Sequence, residues 1–477
     1  MKSQLFRCMM TRAIFFKLAY LVHGRRGDLT LAIGGGAGRR FASLRRRGEA
    51  SSSRSGTRLS RVSGLRRELA RASASSGMRR PAPHAITRAS MVLMALIWAL
   101  LAATPCHEAA PPLLSFEFAL PGSHRSLHLH AWPVFVNGAV VDFLDHRVGK
   151  GVNILLVRNQ ADRHLYYSTD MAKTWIRIPT DARPAFERGF ITDEWNVLVW
   201  GRGQIRLLDM RGSVLATCAG GQYPWHGNWS IGQAGSTIMW AEYASGKELE
   251  EKGLKLKVFR SQDGGRTWAV VFQQPAGRAG DAQIDHFHMV QPDPYRPHHW
   301  YLSSGDTSPH SRVWLSKDDG ETWVEVTDPH PAGKYPQSIH RFTSVIFAKD
   351  YLCWATDDLV GTGKARVVKA KRGEPLKVEV VGTLGDECVR NAVITDYGTV
   401  FISEAKNRRS AGANIYLFAH EGQVVYIGAV SREANVNLVS GATYSRGSKV
   451  AVNGEFFTYA CFFLFRAHTA TLLWRMD

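Results

Sequence analysis

Short runs of apolar and polar residues that end in turns recur along the last three quarters of the chain. These runs are rich in β-branched and aromatic side chains, which favour strands. Four clear examples cover residues 204–209, 366–370, 414–419 and 461–467. The pattern predicts an all-β fold built from many short hairpins.

Three of the turns carry the same phrase, Ser-x-Asp-x-Gly-x-Thr-Trp. The copies begin at Ser168, Ser261 and Ser316, and Ala172 replaces the glycine in the first copy. The phrase suits a hairpin because Asp accepts hydrogen bonds from nearby backbone amides, Gly adopts the positive φ of the turn, and Trp anchors the returning strand. Each copy is therefore predicted to staple one hairpin.

This phrase resembles the Asp-box of the sialidase-type (BNR) repeat proteins. The resemblance implies a β-propeller in which the boxes lie at the periphery of the blades, away from the active sites of that family. Sialidases also use an arginine triad whose first member lies in an Arg-Ile-Pro motif ahead of the first box, whereas Arg177-Ile-Pro179 follows that box here. Arg177 is then expected on an outer strand, and the boxes indicate a fold rather than sialidase activity.

The spacing of the turns sets the number of blades. Turns fall near positions 170, 209, 263, 318, 370, 421 and 467, in steps of 39 to 55 residues. A propeller blade of four strands needs about 40 to 50 residues. Residues 113–477 therefore predict one propeller domain, most simply with seven blades and with six as the alternative. The run 113–119 is predicted to close the ring by joining the last blade.

The positive charge of the chain is concentrated at its beginning. Residues 1–90 hold 20 Lys and Arg against 3 Asp and Glu, which gives +17 of the formal net charge of +19. This stretch lacks the apolar periodicity of a folded core. We interpret it as a basic low-complexity leader or an extension of the gene model, and we expect no nucleic-acid partner for the nearly neutral remainder.

An apolar segment follows within residues 91–110. The run 91–103 comes after several arginines and before small residues, which is typical of a secretory signal peptide. It is shorter than the roughly 20 residues that cross a bilayer comfortably. The sequence therefore predicts export to the periplasm or the extracellular space, without a stable membrane anchor.

Polar residues occupy the same phase of successive repeats. The ends of the second strands carry acids, and the starts of the inner strands carry histidines and arginines, so both groups are expected at the face where propellers bind ligands. The residues predicted to bind substrate are Glu242, Tyr243, Asp306, Asp357 and Glu404, and those predicted to be catalytic are His340, Arg341 and Arg390. For each acid, the alternative is a structural one, in which the carboxylate accepts loop amides.

The densest polar segment contains Gln283, His286 and His288. The two histidines project to one side of a strand, and imidazoles at that spacing suit a divalent metal. The arrangement Gln-x-x-His-x-His resembles the metal site of the oligogalacturonate lyases, propellers that cleave acidic pectin by β-elimination. That resemblance implies one divalent ion (Mn, Ca or Zn) held by His226, Gln283, His286 and His288. Histidines that hydrogen-bond loop carbonyls or sugar hydroxyls without a metal are the alternative.

These patterns favour an exported, carbohydrate-active propeller that acts on an acidic or uronate-containing glycan, with a metal-assisted lyase as the sharpest form. In that form His340 or another imidazole is the base, and Arg341 or Arg390 binds charge. One alternative is a non-catalytic binding scaffold, because a fold does not fix a function. Another is a sialidase-like glycoside hydrolase that uses two of the acids as a pair.

Overall fold

The computed structural model describes most of residues 114–476. The positions outside the description are 1–113, 121–125, 150–151, 181–185, 226, 245, 278–282, 306–309, 329–336, 358–364, 385–387, 396, 405–411, 420–421, 432–454, 463–467 and 477. The predicted leader and signal-like segment, residues 1–90 and 91–110, thus lie outside the described residues.

Strands account for nearly all the regular structure. In chain order they are β1 (Leu114–Ala119), β2 (Ser126–Val136), β3 (Ala139–Gly149), β4 (Val152–Asn159), β5 (Leu165–Ser168), β6 (Ile176–Ile178), β7 (Arg188–Ile191), β8 (Val197–Gly201), β9 (Gln204–Leu208), β10 (Val214–Ala219), β11 (Ile231–Ala234), β12 (Thr237–Ala241), β13 (Lys255–Ser261), β14 (Ala269–Pro275), β15 (Phe287–Pro292), β16 (Trp300–Ser304), β17 (Val313–Ser316), β18 (Val324–Glu325), β19 (Ile346–Phe347), β20 (Tyr351–Ala355), β21 (Arg366–Lys371), β22 (Lys377–Thr383), β23 (Cys388–Thr395), β24 (Gly398–Glu404), β25 (Gly412–Ala419), β26 (Val424–Ser431), β27 (Glu455–Phe462) and β28 (His468–Met476). One short helix, α1 (Gly246–Glu251), and two 3-10 turns, Asn228–Ser230 and Gln337–His340, complete the described elements.

The strands form the sheets of a β-propeller. Five four-stranded antiparallel sheets follow one another as β7–β10, β11–β14, β15–β18, β19–β22 and β23–β26, and one eight-stranded sheet joins the two ends of the domain. Each four-stranded sheet is a blade whose first strand is the innermost. The predicted fold class is confirmed, and the six hydrogen-bonded sheets match the alternative count.

The eight-stranded sheet closes the ring. It consists of two four-stranded halves, β27-β28-β2-β1 and β3–β6, so the described strands make seven four-stranded units in six sheets. The halves meet at a tight hairpin, where Phe135 pairs with Val140 and Val136 with Ala139. The run 113–119 was predicted to join the last blade, and β1 does lie in that sheet. It reaches the C-terminal strands through β2, which pairs with β28.

The three repeated phrases form identical hairpins. In each, the Asp accepts hydrogen bonds from the Ser hydroxyl at 2.8 Å, from the Thr backbone N–H at 2.9 Å and from the Thr hydroxyl at 2.6 to 2.7 Å. The degenerate turn at Asp209 behaves alike, since Oδ1 accepts the amides of Arg211 and Ser213. The turn predicted near residue 467 does not occupy the same position in its blade as the other turns. It connects the first two strands of the closing unit, because the N-terminal β1 and β2 supply the outer two.

Apolar cores lie between neighbouring blades rather than within one. Trp323, from the third repeated phrase, packs with Phe272 of the preceding blade, and Trp268 packs against a cluster that includes Ile205 and Leu207 of the blade before its own. Arg260 of β13 adds polar contacts by donating to Asp319 O and Glu321 Oε1 in the following hairpin. The hairpins therefore hold each blade to the previous one and leave the inner strands at the channel.

Candidate functional site

One backbone hydrogen bond recurs at the same end of three consecutive blades. It joins a residue within two positions of the end of the second strand to a residue that precedes the inner strand of the same blade. The three bonds are Tyr243 N–H to Pro224 O at 3.1 Å, Gly305 N–H to His286 O at 3.0 Å and Asp357 N–H to Arg341 O at 2.9 Å. The predicted repeat phase is thus present in the structure, and we call this end of the three blades the channel mouth.

A β-bulge places His288 at the mouth. Phe287 pairs with Ser304 and Met289 with the adjacent Ser303, which leaves His288 as the extra residue of β15. Bulges redirect a side chain and are common beside functional sites. The same shift occurs in β23, where Arg390 is the extra residue between Val389 and Asn391. The backbone of Arg390 therefore occupies the position equivalent to His288, while its side chain lies outside the description.

His286 and His288 face each other across the bulge. Their Nε2 atoms are 2.9 Å apart, and their ring centroids are 4.8 Å apart. The ring of Tyr243, from the preceding blade, contacts His286 at a centroid distance of 4.4 Å. Both histidines are buried, with 6% of His286 and 1% of His288 exposed. The sequence predicted that these two side chains share one side, and the structure brings them together.

The contacts of the opposite ring nitrogens restrict where protons can sit. His288 Nδ1 lies 3.2 Å from the Phe342 carbonyl, which can only accept, so this nitrogen donates. His286 Nδ1 lies 3.9 Å from the carboxylate of Asp285, which is beyond hydrogen-bond distance, so this contact does not fix the His286 proton. With that proton on Nε2, the two rings share an N–H···N hydrogen bond; with it on Nδ1, two Nε2 lone pairs face each other. In the second arrangement a metal ion between the rings satisfies both lone pairs.

The spacing of the two nitrogens also suits a metal ion. Adjacent positions of an octahedral site with metal–nitrogen bonds of about 2.1 Å are about 3 Å apart, close to the 2.9 Å between the two Nε2 atoms. Histidine ligands of metals usually donate the other ring N–H to a carbonyl or carboxylate, as the Phe342 carbonyl allows for His288. These two side chains therefore fit the predicted ion as a pair of ligands.

The other two predicted ligands are not part of this pair. Gln283 Nε2 donates to Glu250 Oε1 of α1 at 3.4 Å, and His226 lies outside the described residues. Among the residues described, no group of three or more His, Cys, Asp or Glu side chains could hold a metal ion. The backbone carbonyl of Gln283 accepts a hydrogen bond from Nδ1 of His310 at 2.8 Å. His310 was missed from the sequence because it stands alone in a loop.

Arg341 forms a buried ion pair beside the histidines. Its Nη2 lies 3.4 Å from Asp357 Oδ2, and the two side chains are 3% and 1% exposed. Phe342, next in the chain, provides the carbonyl that holds His288. The structure thus pairs Arg341 with Asp357, which are predicted to have separate roles, and Phe342 connects Arg341 to the histidine pair through the chain. The Asp357 carboxylate is paired with the Arg341 guanidinium and is therefore not an isolated acid.

Glu242 turns away from this cluster into the loops of its own blade. Its Oε1 accepts from the Gln222 backbone N–H and its Oε2 from that of Lys257, each at 3.1 Å. Burial raises the pKa of this carboxyl, and the amide hydrogen bonds oppose the rise only in part. These contacts are those of the structural alternative. Substrate binding by Glu242 stays a prediction.

His340 is fully buried at the end of the second 3-10 turn. Its Nε2 accepts a hydrogen bond from the Asp328 backbone N–H at 3.3 Å. The imidazole therefore holds a loop in this conformation, and it is not presented to the channel as a general base needs to be. Its catalytic role stays a prediction, and the structure supplies no contact that favours it.

The remaining predicted site residues have less structural detail. Asp306 lies outside the described residues, and Glu404 ends β24 with its side chain outside the description. Arg177 lies on the outer strand β6 as expected, where its Nη2 donates to His164 Nε2 at 2.8 Å.

No protein-family model matches the chain, and no curated protein matches it. Solved structures of similar fold include an oligogalacturonate lyase in complex with manganese, at 11% identity and a TM-score of 0.49, covering 77% of this chain and 97% of that chain. Virginiamycin B lyase from Staphylococcus aureus is 8% identical with a TM-score of 0.45, covering 74% and 99%. YCF48 from Cyanidioschyzon merolae is 10% identical with a TM-score of 0.43, covering 72% and 98%. Identities this low concern the fold alone.

The comparisons leave two earlier interpretations untested. Membership of the Asp-box family and export both stay predictions. Within the part of the chain that the structure describes, no helix is long and apolar enough to cross a membrane. What is established is a β-propeller with a buried cluster of histidines, tyrosine and a guanidinium–carboxylate pair at one end of its channel.

Proposed function

We propose that this propeller is exported and binds an acidic carbohydrate at the channel mouth, with a divalent cation held by His286 and His288. The observation that carries the proposal is the approach of the two buried Nε2 atoms to 2.9 Å, with Nδ1 of His288 held by the Phe342 carbonyl. That separation suits two imidazole ligands of a single ion. A cation at this point attracts a ligand carboxylate.

The surrounding side chains suit a sugar acid. The Tyr243 ring, which contacts His286, offers an aromatic surface and a hydroxyl at the same end of the channel. The charge of Arg341 is matched by Asp357, so Arg341 alone is a weak carboxylate ligand. Arg390, at the bulge equivalent to that of His288, is the better candidate for a second positive contact.

A uronate lyase is the enzymatic form of this proposal. A divalent ion at the histidine pair supplies Lewis-acid stabilisation to the uronate carboxylate. The residues of the chain then orient the sugar, and Phe342 O keeps the His288 tautomer fixed. The proton at the α carbon needs a base, and the enclosed position of His340 favours a different imidazole for that role.

The proposal is tested by metal content and ligand binding together. The full chain, purified without chelating resin or a polyhistidine tag, is compared with a His286→Ala/His288→Ala variant by metal mass spectrometry. Calorimetric titration with uronate oligosaccharides follows, and ultraviolet absorbance reports new unsaturated sugar ends. A His298→Ala/His299→Ala variant, which removes one exposed and one half-buried histidine elsewhere, is the matched control.

We expect the His286→Ala/His288→Ala variant to carry about one equivalent of metal less than the wild type and the control, and to lose uronate binding. Circular dichroism checks that the variant is folded, and His286→Ala alone provides a milder change. Uronate binding without turnover would favour the non-catalytic scaffold. Equal metal content and equal binding in all folded variants would contradict the proposal.

A further inference from the structure

A second group of histidines lies far along the chain from the mouth, on one face of β2. His128, His130 and Trp132 alternate with the fully buried Leu127 and Leu129, so their side chains share the half-exposed face of the strand. The rings of His128 and His130 are parallel to within 3°, with centroids 5.9 Å apart. The Trp132 ring lies 5.8 Å from that of His130.

The outermost strand β1 places two oxygen-bearing residues opposite these histidines. Glu117 is directly opposite His128, and Ser115 is directly opposite His130. Residues opposite each other in an antiparallel pair share a face, with Cβ atoms about 4.5 to 5.5 Å apart. The Ser115 hydroxyl contacts Nδ1 of His130. In this conformation the contact occupies Nδ1 of His130, and Nε2 is the nitrogen that can bind another partner.

We propose that His128, His130 and Glu117 form a second, solvent-accessible site for a divalent transition-metal ion such as Zn²⁺, Ni²⁺ or Cu²⁺. Two histidines at positions i and i+2 of a strand have Cα atoms about 6.6 Å apart on one face. Imidazole and carboxylate ligands together suit these borderline ions, and imidazole makes the site poor for Ca²⁺ or Mg²⁺.

Binding requires a small change of side-chain orientation. In the conformation observed, no three His, Cys, Asp or Glu side chains among the described residues are placed to hold an ion. The terminal torsion of a histidine side chain is broad, and both rings are only half-buried. Rotation of the stacked rings turns their Nε2 atoms toward a common point above the sheet.

The position of the site gives binding a structural consequence. β1 and β2 belong to the sheet that also contains the C-terminal strands β27 and β28. An ion bound by Glu117 of β1 and the two histidines of β2 ties the outermost strand to its neighbour. Because the ion binds the folded state, it stabilises the closed ring in proportion to its occupancy.

The test is a titration of the full, untagged chain with Zn²⁺, followed by calorimetry and by thermal unfolding with and without the ion. Cu²⁺ loading with electron paramagnetic resonance then reports how many nitrogen atoms bind the metal. The variants are His128→Ala/His130→Ala and Glu117→Gln, both at sites away from the apolar core. The controls are His298→Ala/His299→Ala, for one exposed and one half-buried histidine, and His286→Ala/His288→Ala, for the channel mouth.

We expect the His128→Ala/His130→Ala variant to lose one equivalent of Zn²⁺, the upward shift of the melting temperature and the two-nitrogen Cu²⁺ signal. Glu117→Gln weakens Zn²⁺ binding about tenfold. Both control variants retain this equivalent of Zn²⁺. The second site is therefore tested independently of whether His286 and His288 bind a metal. An unchanged Zn²⁺ stoichiometry and melting shift in the folded His128→Ala/His130→Ala variant would overturn the proposal. A loss of Zn²⁺ binding seen only in the His286→Ala/His288→Ala variant would overturn it as well.

Discussion

The carboxylates of the repeated hairpins illustrate how single residues hold this fold. Asp170, Asp263 and Asp318 each accept three hydrogen bonds from the Ser and Thr of their own phrase. Partial burial raises the pKa of each carboxyl, but the hydrogen bonds from the threonine side chain and backbone outweigh it. The net pKa is lowered in all three. Folding therefore favours the charged form.

The lowered pKa values of these three carboxyls predict that the protein loses stability in acid. A carboxyl with a folded pKa below its unfolded value of about 3.9 stabilises the protein above that value. The contribution disappears as the pH falls through the lower folded pKa. We expect the melting temperature to fall less steeply below about pH 4 in an Asp170→Asn/Asp263→Asn/Asp318→Asn variant than in the wild type. The effect of each residue is small because these carboxylates are close to solvent.

Differential scanning calorimetry across the acid range measures this slope. A variant with three exposed acids neutralised elsewhere, Glu187→Gln/Asp350→Asn/Glu379→Gln, controls for the change of net charge. If the hairpin variant and this control had the same acid slope, the hydrogen bonds of the phrases would not be the source of the effect.

At the scale of elements, the turn at Asp209 shows why a hairpin without the full phrase still fits the ring. It lacks the Ser and Trp of the other copies, but Gly212 adopts a left-handed φ of 87°. A Cβ atom on Gly212 would lie 1.5 Å from the Pro179 carbonyl oxygen in the preceding unit. The absence of a side chain here lets the two hairpins come into contact.

We expect Gly212→Ala to destabilise the protein by roughly 2–5 kcal/mol, because strain of the left-handed backbone adds to overpacking against a rigid carbonyl. Gly235→Ala is the matched control, since Gly235 has a φ of 58° and a Cβ there would meet nothing within 4 Å. That change costs only the backbone term, about 1–2 kcal/mol. Urea unfolding measures both losses, and similar values would show that the contact with Pro179 is unimportant.

Local patterns in the sequence predicted the hairpins and the side shared by His286 and His288, since both depend on residues a few positions apart. The insertion of β2 between β1 and β28 depends on pairing between distant parts of the chain. The local hydrophobic periodicity of the sequence does not reveal such long-range pairing, and it does not reveal the bulge at His288. Likewise, the sequence placed Glu242 at the mouth but could not show that loop amides occupy its carboxylate.

At the scale of the whole molecule, a buried ion pair joins two neighbouring blades. Arg372, in the turn between β21 and β22, donates from Nε and Nη2 to the two carboxylate oxygens of Asp293 at 2.8 and 3.0 Å. Its Nη1 donates to the carbonyls of Lys349 and Tyr351. Burial and the nearby charge of Asp293 raise the pKa of Tyr301 to about 12. The hairpin between β15 and β16 is thereby fixed to the next blade.

This pair gives a direct measure of how strongly neighbouring blades are coupled. Arg372→Met leaves the buried Asp293 charge without its partner, and we expect a loss of about 3–5 kcal/mol in the free energy of unfolding. Adding Asp293→Asn removes that charge while keeping an oxygen to accept the Tyr295 amide, so the double variant should recover part of the loss. Urea unfolding of both single variants and the double variant completes a mutant cycle. If the two losses simply added, the blades would be held by apolar packing alone, and the salt bridge would contribute nothing specific to the ring.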